Sequence, residues 1–322
     1  MKIVLLDGYA LNHGLDWQQL DQLGEFDHYD RASVDNNEEI LQRIGQAEIV
    51  LTHKTPLNDR VISQAPQLRY IGIMGTGYDV VDIQSADRNH VAVTNVPTYA
   101  TDAVAQFTFA LLLEVTSQVG LHNRLVHEGK WLRVPDFTFW DRPLFELQGK
   151  TLGLIGYGHI AKKVAELGHA FAMKVIFYNH RPKKDHPSWV EQVDLDELLT
   201  RSDVISLHTI QTPDTVNLIN RSSLQKMKKS AILLNTARGK LVNEADLAKA
   251  LNRGDIYAFA TDVVGTEPIS ADNPLLKAKN CYITPHIAWA PFETRKRLLD
   301  ITVSNLTNYL AGKPSNLVHF YK

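Results

Sequence analysis

Three polar residues stand where apolar runs of the chain end. Arg238 follows Ile232-Leu233-Leu234-Asn235-Thr236-Ala237, Glu267 follows Asp262-Val263-Val264-Gly265-Thr266, and His286 follows Tyr282-Ile283-Thr284-Pro285. An arginine presents a planar fork of donors that fixes a carboxylate or a ketone oxygen. A histidine titrates near neutrality, so it can give a proton to an alkoxide and take one back. A carboxylate beside the imidazole favours its charged form and raises its pKa. Such a set fits the interconversion of a 2-keto acid and a 2-hydroxy acid. Singly, each residue has a plainer reading: Arg238 as a helix-cap ion pair, Glu267 as a loop carboxylate, His286 as a satisfied strand-end histidine.

The elements that must position them begin at Lys150-Thr151-Leu152-Gly153-Leu154-Ile155, which reads as a buried strand. Gly156-Tyr157-Gly158-His159-Ile160-Ala161 follows it, and Ala161, Val164, Ala165, Leu167 and Gly168 then recur at helical spacing. A G-x-G-x-x-[GA] run alone arises often by chance. Between a strand and a helix it is the phosphate-binding corner of a dinucleotide fold, with the anion held at the helix N-terminus. In a doubly wound sheet the carboxyl ends of the strands share one crevice, so Arg238, Glu267 and His286 are expected to converge beside a nicotinamide. The second strand of this half ends at Asn179, where an acid for the ribose 2′-OH is usual, and His180, Arg181, Lys183 and Lys184 follow. No carboxylate there repels a 2′-phosphate, and a guanidinium can pair with one. The cofactor is therefore expected to be NAD or NADP, with NADP slightly favoured; the plainer reading is a solvated basic turn.

Short apolar runs alternate with helical patterns almost throughout, which predicts parallel sheets with helical crossovers. The first hundred residues hold four expected strands, Ile3–Leu6, Ile49–Thr52, Tyr70–Met74 and Val91–Thr94, resembling a flavodoxin-like unit. A second sheet is expected from Thr151 through Lys174–Tyr178, Val204–Leu207, Ala231–Leu234, Ala258–Thr261 and Tyr282–Thr284. A helix from Thr101, apolar nearly all round, is expected to be buried or packed on another subunit. An aromatic segment follows it, with Trp131, Phe137, Phe139, Trp140 and Phe145. The last helix, Pro291–Leu310, can return to close the first sheet. The expected fold class is thus α/β: a doubly wound Rossmann domain (99–288) inserted into a smaller, discontinuous flavodoxin-like substrate domain (1–98 and 289–322). The two are expected to close over the cofactor.

Composition narrows the function classes. The 322 residues carry a formal net charge of −2 without long single-sign runs, which argues against a nucleic-acid partner. No stretch approaches the roughly 20 apolar residues that span a bilayer, so no membrane partner is expected. The N-terminus reads as a strand rather than a signal, and the single cysteine, Cys281, fits a reducing cytoplasm. Its apolar setting predicts a buried core thiol rather than a nucleophile. No metal site is expected.

Several ordered motifs together carry a resemblance to the D-2-hydroxyacid dehydrogenase family over essentially the whole length. They are Gly156–Ala161, Asp203-Val204-Ile205-Ser206-Leu207-His208, Thr212-Pro213-Asp214-Thr215, Leu224-Gln225-Lys226-Met227-Lys228, Asn235-Thr236-Ala237-Arg238-Gly239, Asp262-Val263, Glu267-Pro268 and Thr284-Pro285-His286-Ile287-Ala288-Trp289. The resemblance implies that Arg238 binds substrate, Glu267 tunes the histidine and His286 is the acid/base. It places Gly156, Gly158, His159, Ile160, Asn179, His180, Arg181, His208, Thr209, Thr215, Thr236, Ala237, Arg238, Asp262, His286 and Ala288 at the cofactor, with Asp262 and Ala288 by the nicotinamide carboxamide. Backbone amides of Gly75, Thr76 and Gly77 are expected to hold the substrate carboxylate, with Lys54 as a further contact. The chain is most similar to glycerate dehydrogenase/hydroxypyruvate reductase members, on the aromatic loop Phe137–Asp141 and the ending His286–Trp289.

The resemblance therefore implies hydride transfer between a nicotinamide cofactor and hydroxypyruvate/D-glycerate or glyoxylate/glycolate. A homodimer is expected to pair through the 101–120 helix and the 121–148 loop, with Trp140 reaching the partner's substrate site. Asn179, Ile210 and Gln106 depart from the usual acid, proline and glutamate. The rival readings are a D-lactate or bulkier D-2-hydroxyacid dehydrogenase, a nucleotide-sensing regulator that needs no acid/base, and a hydrolase, for which no Gly-x-Ser-x-Gly elbow is present.

Overall fold

The computed structural model describes residues 1–318. The chain forms two compact units, one from Met1–Ala100 with Ala290–Lys322 and the other from Thr101–Trp289. Of the expected 289–322 segment, residues 319–322 lie outside the described residues.

The first unit is built on five strands: β1 (Lys2–Leu5), β2 (Glu25–His28), β3 (Ile49–Thr52), β4 (Tyr70–Ile73) and β5 (Ala92–Thr94). They pair in parallel in the order β2-β1-β3-β4-β5. Every residue of β3 and β4 is buried, as continuous apolar strands require when both sheet faces are covered. Val4, Val50 and Ile71 meet Ile40 and Ile44 of the helix Asn37–Ile44 in one core. Burying each such side chain contributes about 1.5–3 kcal/mol. The sequence reading had four strands here. It missed β2 because Glu25-Phe26-Asp27-His28 lies at the sheet edge, where charged residues remain wet.

The helix Phe292–Leu310 returns to this sheet. Asn305 Nδ2 donates to Asn95 O at 2.9 Å, the Tyr309 ring lies 4.8 Å from that of Tyr70, and Val318 N donates to Val93 O at 2.8 Å. The guanidinium of Arg295, 8% exposed, donates to the carbonyls of Leu11, His13 and Ala290. A buried cation needs such partners.

The second unit holds seven parallel strands: β6 (Thr151–Ile155), β7 (Lys174–Tyr178), β8 (Val190–Gln192), β9 (Val204–Leu207), β10 (Ile232–Asn235), β11 (Ala258–Thr261) and β12 (Cys281–Ile283). Their order is β12-β11-β10-β9-β6-β7-β8, so the chain reverses direction across the sheet between β6 and β9. Ligands bind outside the strand carboxyl ends at such a switch point. The sequence reading had six strands. It missed β8, three residues whose Glu191 is exposed.

Helix Thr101–Ser117 buries Ala105, Phe109, Leu112 and Val115 against Leu154, Ala161 and Val164 in this unit's core, while Phe107 and Leu113 are only partly buried. No single helix among the described residues is long and apolar enough to cross a membrane. This helix and Val119–His127 pass that test only as a pair bent by 57°. Cys281 packs beside the core but is only partly buried, a departure from the buried core thiol expected. Burial pushes its pKa up to about 12, which disfavours the reactive thiolate.

Candidate active site

The glycine turn after β6 has the shape that a phosphate cradle needs. Gly156 sits at φ +90°, and a Cβ there would lie 2.6 Å from the carbonyl oxygen of His208, so no side chain fits. At Gly158 an added Cβ would meet nothing within 4 Å. Gly158 is the N-cap of helix His159–Ala170 and offers its first turn no side-chain cap. Bare amides and the positive dipole end thus remain for an anion. These residues fit a dinucleotide pyrophosphate.

β10, β11 and β12 deliver the three polar residues singled out by type. Asn235, the last residue of β10, shapes the turn that follows: its Oδ1 accepts from Ala237 N at 3.0 Å, and its Nδ2 donates to Arg238 O at 2.9 Å. Gly239 lets this turn press on the β11 loop, where a Cβ would fall 1.9 Å from the Val264 carbonyl carbon. Glu267 Oε1 accepts from Val264 N at 3.2 Å, and its Oε2 lies 2.7 Å from His286 Nδ1. A carboxylate oxygen only accepts, so Nδ1 carries the hydrogen and Nε2 is the nitrogen left for proton exchange. The pair is partly open, with side chains 26% and 34% exposed for His286 and Glu267. Water and a small substrate can reach it.

His286 itself adopts a left-handed backbone, φ +56°, which costs a non-glycine residue about 1–3 kcal/mol. Asp262 offsets that cost. Its carboxylate, 1% exposed, accepts from Thr284 Oγ1 at 2.6 Å, Ile287 N at 2.9 Å and Ala288 N at 2.8 Å. Each hydrogen bond to a charged group is worth about 1.5–3 kcal/mol. Trp289 Nε1 adds a bond to His286 O at 2.9 Å. Glu244 performs the same service for the preceding loop, accepting from Gly265 N at 2.7 Å and Asn273 Nδ2 at 3.0 Å. The resemblance places Asp262 by the nicotinamide carboxamide alone, and no residue type or spacing marks Asn235 or Glu244 as part of the site. Their signal was faint, a polar residue at the end or start of an element.

Other expected cofactor residues occupy neighbouring strand ends. His208 follows β9, with Nε2 2.9 Å from Ser206 Oγ, and desolvation pushes its pKa down to about 4. Thr236 Oγ1 lies 3.0 Å from Thr108 Oγ1. Thr215 Oγ1 accepts from Thr212 N at 2.7 Å and organises the loop after His208 and Thr209. Beyond β7, Asn179 Nδ2 donates to Arg181 O at 2.8 Å, while His180 and Arg181 are exposed. Among the described residues, no group of three or more His, Cys, Asp or Glu is placed to hold a metal ion.

In the first unit, Lys54 is exposed after β3, and Gly75-Thr76-Gly77 follows β4 by one residue. An added Cβ at Gly75 would meet nothing within 4 Å. Trp140 lies in a groove that Arg238, Glu267 and His286 do not line. The groove, of about 450 Å³, is also lined by Val119, Trp131, Phe139 and Leu144. Leu132, Phe137 and Trp140 are 90%, 84% and 65% exposed in this segment.

Comparison with known proteins agrees with this geometry. The model of the D-isomer-specific 2-hydroxyacid dehydrogenase NAD-binding domain matches residues 109–288. The chain is 51% identical to hydroxypyruvate reductase of Blautia hydrogenotrophica, over 99% of this chain and 100% of the relative. It is 38% identical to glycerate dehydrogenase of Methylorubrum extorquens, over 98% of each. Among solved structures, an acyclic imino acid reductase (Bsp5) in complex with NADPH and D-Arg is similar, with TM-score 0.86 and 32% identity, over 99% of this chain and 100% of that one. With the glycine corner, the switch-point sheet and the strand-end trio already in place, these matches settle the family: the chain belongs to the D-2-hydroxyacid dehydrogenases, oxidoreductases acting on the CH–OH group of their donors.

Proposed function

We propose that the protein reduces hydroxypyruvate to D-glycerate, or glyoxylate to glycolate, and catalyses the reverse reactions. The observation that carries this reading is the 2.7 Å contact between His286 Nδ1 and Glu267 Oε2 beside the Arg238 turn. Arg238 holds the ketone oxygen or carboxylate of the substrate in its donor fork. Glu267 fixes the imidazole tautomer and stabilises the imidazolium, and His286 Nε2 delivers the proton to the developing alkoxide. Gly75, Thr76, Gly77 and Lys54 receive the substrate carboxylate. The nicotinamide, when bound, supplies the hydride. The names of the two enzyme relatives support hydroxypyruvate and glycerate as the substrate pair.

The cofactor reading favours NADP slightly over NAD. Exposed Arg181 beyond Asn179 supports it, as does the NADPH of the imino acid reductase complex. The exposed aromatic groove supports a two-fold homodimer built on the 101–148 segment, with Trp140 meeting the partner's substrate site; the single cysteine supports a cytoplasmic setting. Sedimentation of the wild type should give twice the chain mass. Trp140→Ala should raise KM or weaken the dimer; no change in either removes that contact from the reading.

Substrate and cofactor are tested together by following oxidation of NADH and of NADPH with hydroxypyruvate, glyoxylate, pyruvate and 2-ketoisocaproate. The reading expects the highest kcat/KM with hydroxypyruvate or glyoxylate. Preference for pyruvate or 2-ketoisocaproate would assign a D-lactate or bulkier D-2-hydroxyacid dehydrogenase. Tight nucleotide binding without turnover of any of the four would assign a nucleotide sensor.

A further inference from the structure

Asp7 follows β1 after one residue, and the chemistry above makes no use of it. Its carboxylate takes three successive backbone amides of the loop after β3. His53 N lies 2.8 Å from Oδ1, while Lys54 N and Thr55 N lie 2.5 Å and 2.7 Å from Oδ2. Consecutive amides converging on one anion form a nest, filled here by the protein's own carboxylate. The same loop reaches the next strand end. His53 Nδ1 lies 2.6 Å from Met74 O, and since a carbonyl only accepts, Nδ1 donates.

Met74 directly precedes Gly75-Thr76-Gly77, and that segment is held carbonyl by carbonyl. His53 takes Met74 O, Val96 N donates to Gly75 O at 2.9 Å, and Asn95 Nδ2 donates to Thr76 O at 2.7 Å. In a planar trans peptide the N–H points opposite to the C=O of the preceding residue. Fixing those three carbonyls therefore aims the amides of Gly75, Thr76 and Gly77 away from His53, Val96 and Asn95. Thr76 Oγ1, donating to Val96 O at 2.9 Å, completes the hold.

We propose that Asp7 and His53 are positioning residues: Asp7 sets the loop that carries Lys54, and His53 transmits that register to the amides that receive the substrate carboxylate. The proposal rests on the reading that this face of the first unit binds that carboxylate. It also has a distinctive sign. A negative charge behind an anion site repels the anion, so on charge alone Asp7→Asn would lower KM for the keto acid. Positioning requires the opposite. Asparagine keeps one acceptor oxygen, turns an NH₂ toward amide donors, and loosens the loop.

The test is steady-state kinetics with hydroxypyruvate on variants whose folding is checked by near-UV circular dichroism. Asp7→Asn should raise KM for hydroxypyruvate about tenfold, with kcat within about twofold and KM for the reduced cofactor unchanged. His53→Ala should also raise KM, and His53→Asn, whose Nδ2 can reach Met74 O, should restore it. Gly75→Ala and Lys54→Ala examine the underlying reading, since the alanine methyl enters open space and strains nothing. If both leave KM unchanged, the reading of this face fails and the proposal fails with it. If either raises KM while Asp7→Asn lowers it or leaves it alone, the reading stands and the role of Asp7 is overturned. Equal KM values for His53→Ala and His53→Asn overturn that of His53. Should Asp7→Asn not fold, the His53 pair decides.

Discussion

The two units present different materials at their strand ends. At the strand ends of the second unit, side chains are on offer: Arg238, Glu267 and His286, each from a separate strand. At the strand ends of the first unit, backbone is on offer, in the amides after Met74. In both, an acid beyond a strand takes several donors from a turn and so fixes what the turn presents. Asp262 clasps the strained His286 turn, and Asp7 clasps the His53–Thr55 loop. A side-chain site fails in chemistry when its turn moves, because proton transfer demands a nitrogen within hydrogen-bond reach. A backbone site fails in binding, because it contributes alike to ground state and transition state.

That division can be broken by experiment. The largest effect is expected from His286→Ala, which should lower kcat by about 10²- to 10⁴-fold, the range for losing a positioned acid/base, while the nucleotide Kd stays put. A loss seen mainly in KM would erase the distinction between the units. Next is Glu244→Ala, which deprives the Glu267 loop of its bonds to Gly265 and Asn273. It should lower kcat about tenfold, with KM for the keto acid within about threefold, and Glu244→Gln, which keeps one acceptor oxygen but turns an NH₂ toward the other donor, should recover only part of the loss.

Arg181→Ala bears on the second unit's binding without touching its chemistry. Losing one charge-assisted contact to a 2′-phosphate should raise KM for NADPH about tenfold and leave that for NADH unchanged. Equal effects on both cofactors would remove Arg181 from phosphate recognition.

The smallest effect concerns stability. The pKa of His208 lies below its ordinary value of 6.5, at about 4, because of desolvation, so the unfolded chain binds a proton there that the folded chain refuses. The contribution is complete above pH 6.5 and is lost as pH falls toward 4. Between about pH 7 and about pH 5 it amounts to about 2 kcal/mol, readable from urea midpoints. His208→Gln should flatten that part of the profile.

How far the sequence discloses each region follows from the same contrast. Arg238, Glu267 and His286 announce themselves because charged side chains interrupt apolar strands, and the glycine corner because its spacing sits between strand and helix. The hold on Gly75–Gly77 is a matter of carbonyl directions, which residue types do not encode. Asp7 stood in plain view after an apolar run, yet its partners are backbone amides 46 to 48 residues away. Strands β2 and β8 escaped because edge strands can keep charged residues, which blurs the apolar run. The aromatic segment was legible as an unusual surface, because Trp131, Phe137 and Trp140 crowd one short, exposed stretch.

The central claim is that Glu267 acts through His286, and a double-mutant cycle on kcat for hydroxypyruvate reduction addresses it most directly. Residues that act as one unit are not additive. The account predicts that Glu267→Gln combined with His286→Ala turns over no more slowly than His286→Ala alone. Losses that multiply in the double variant would contradict it.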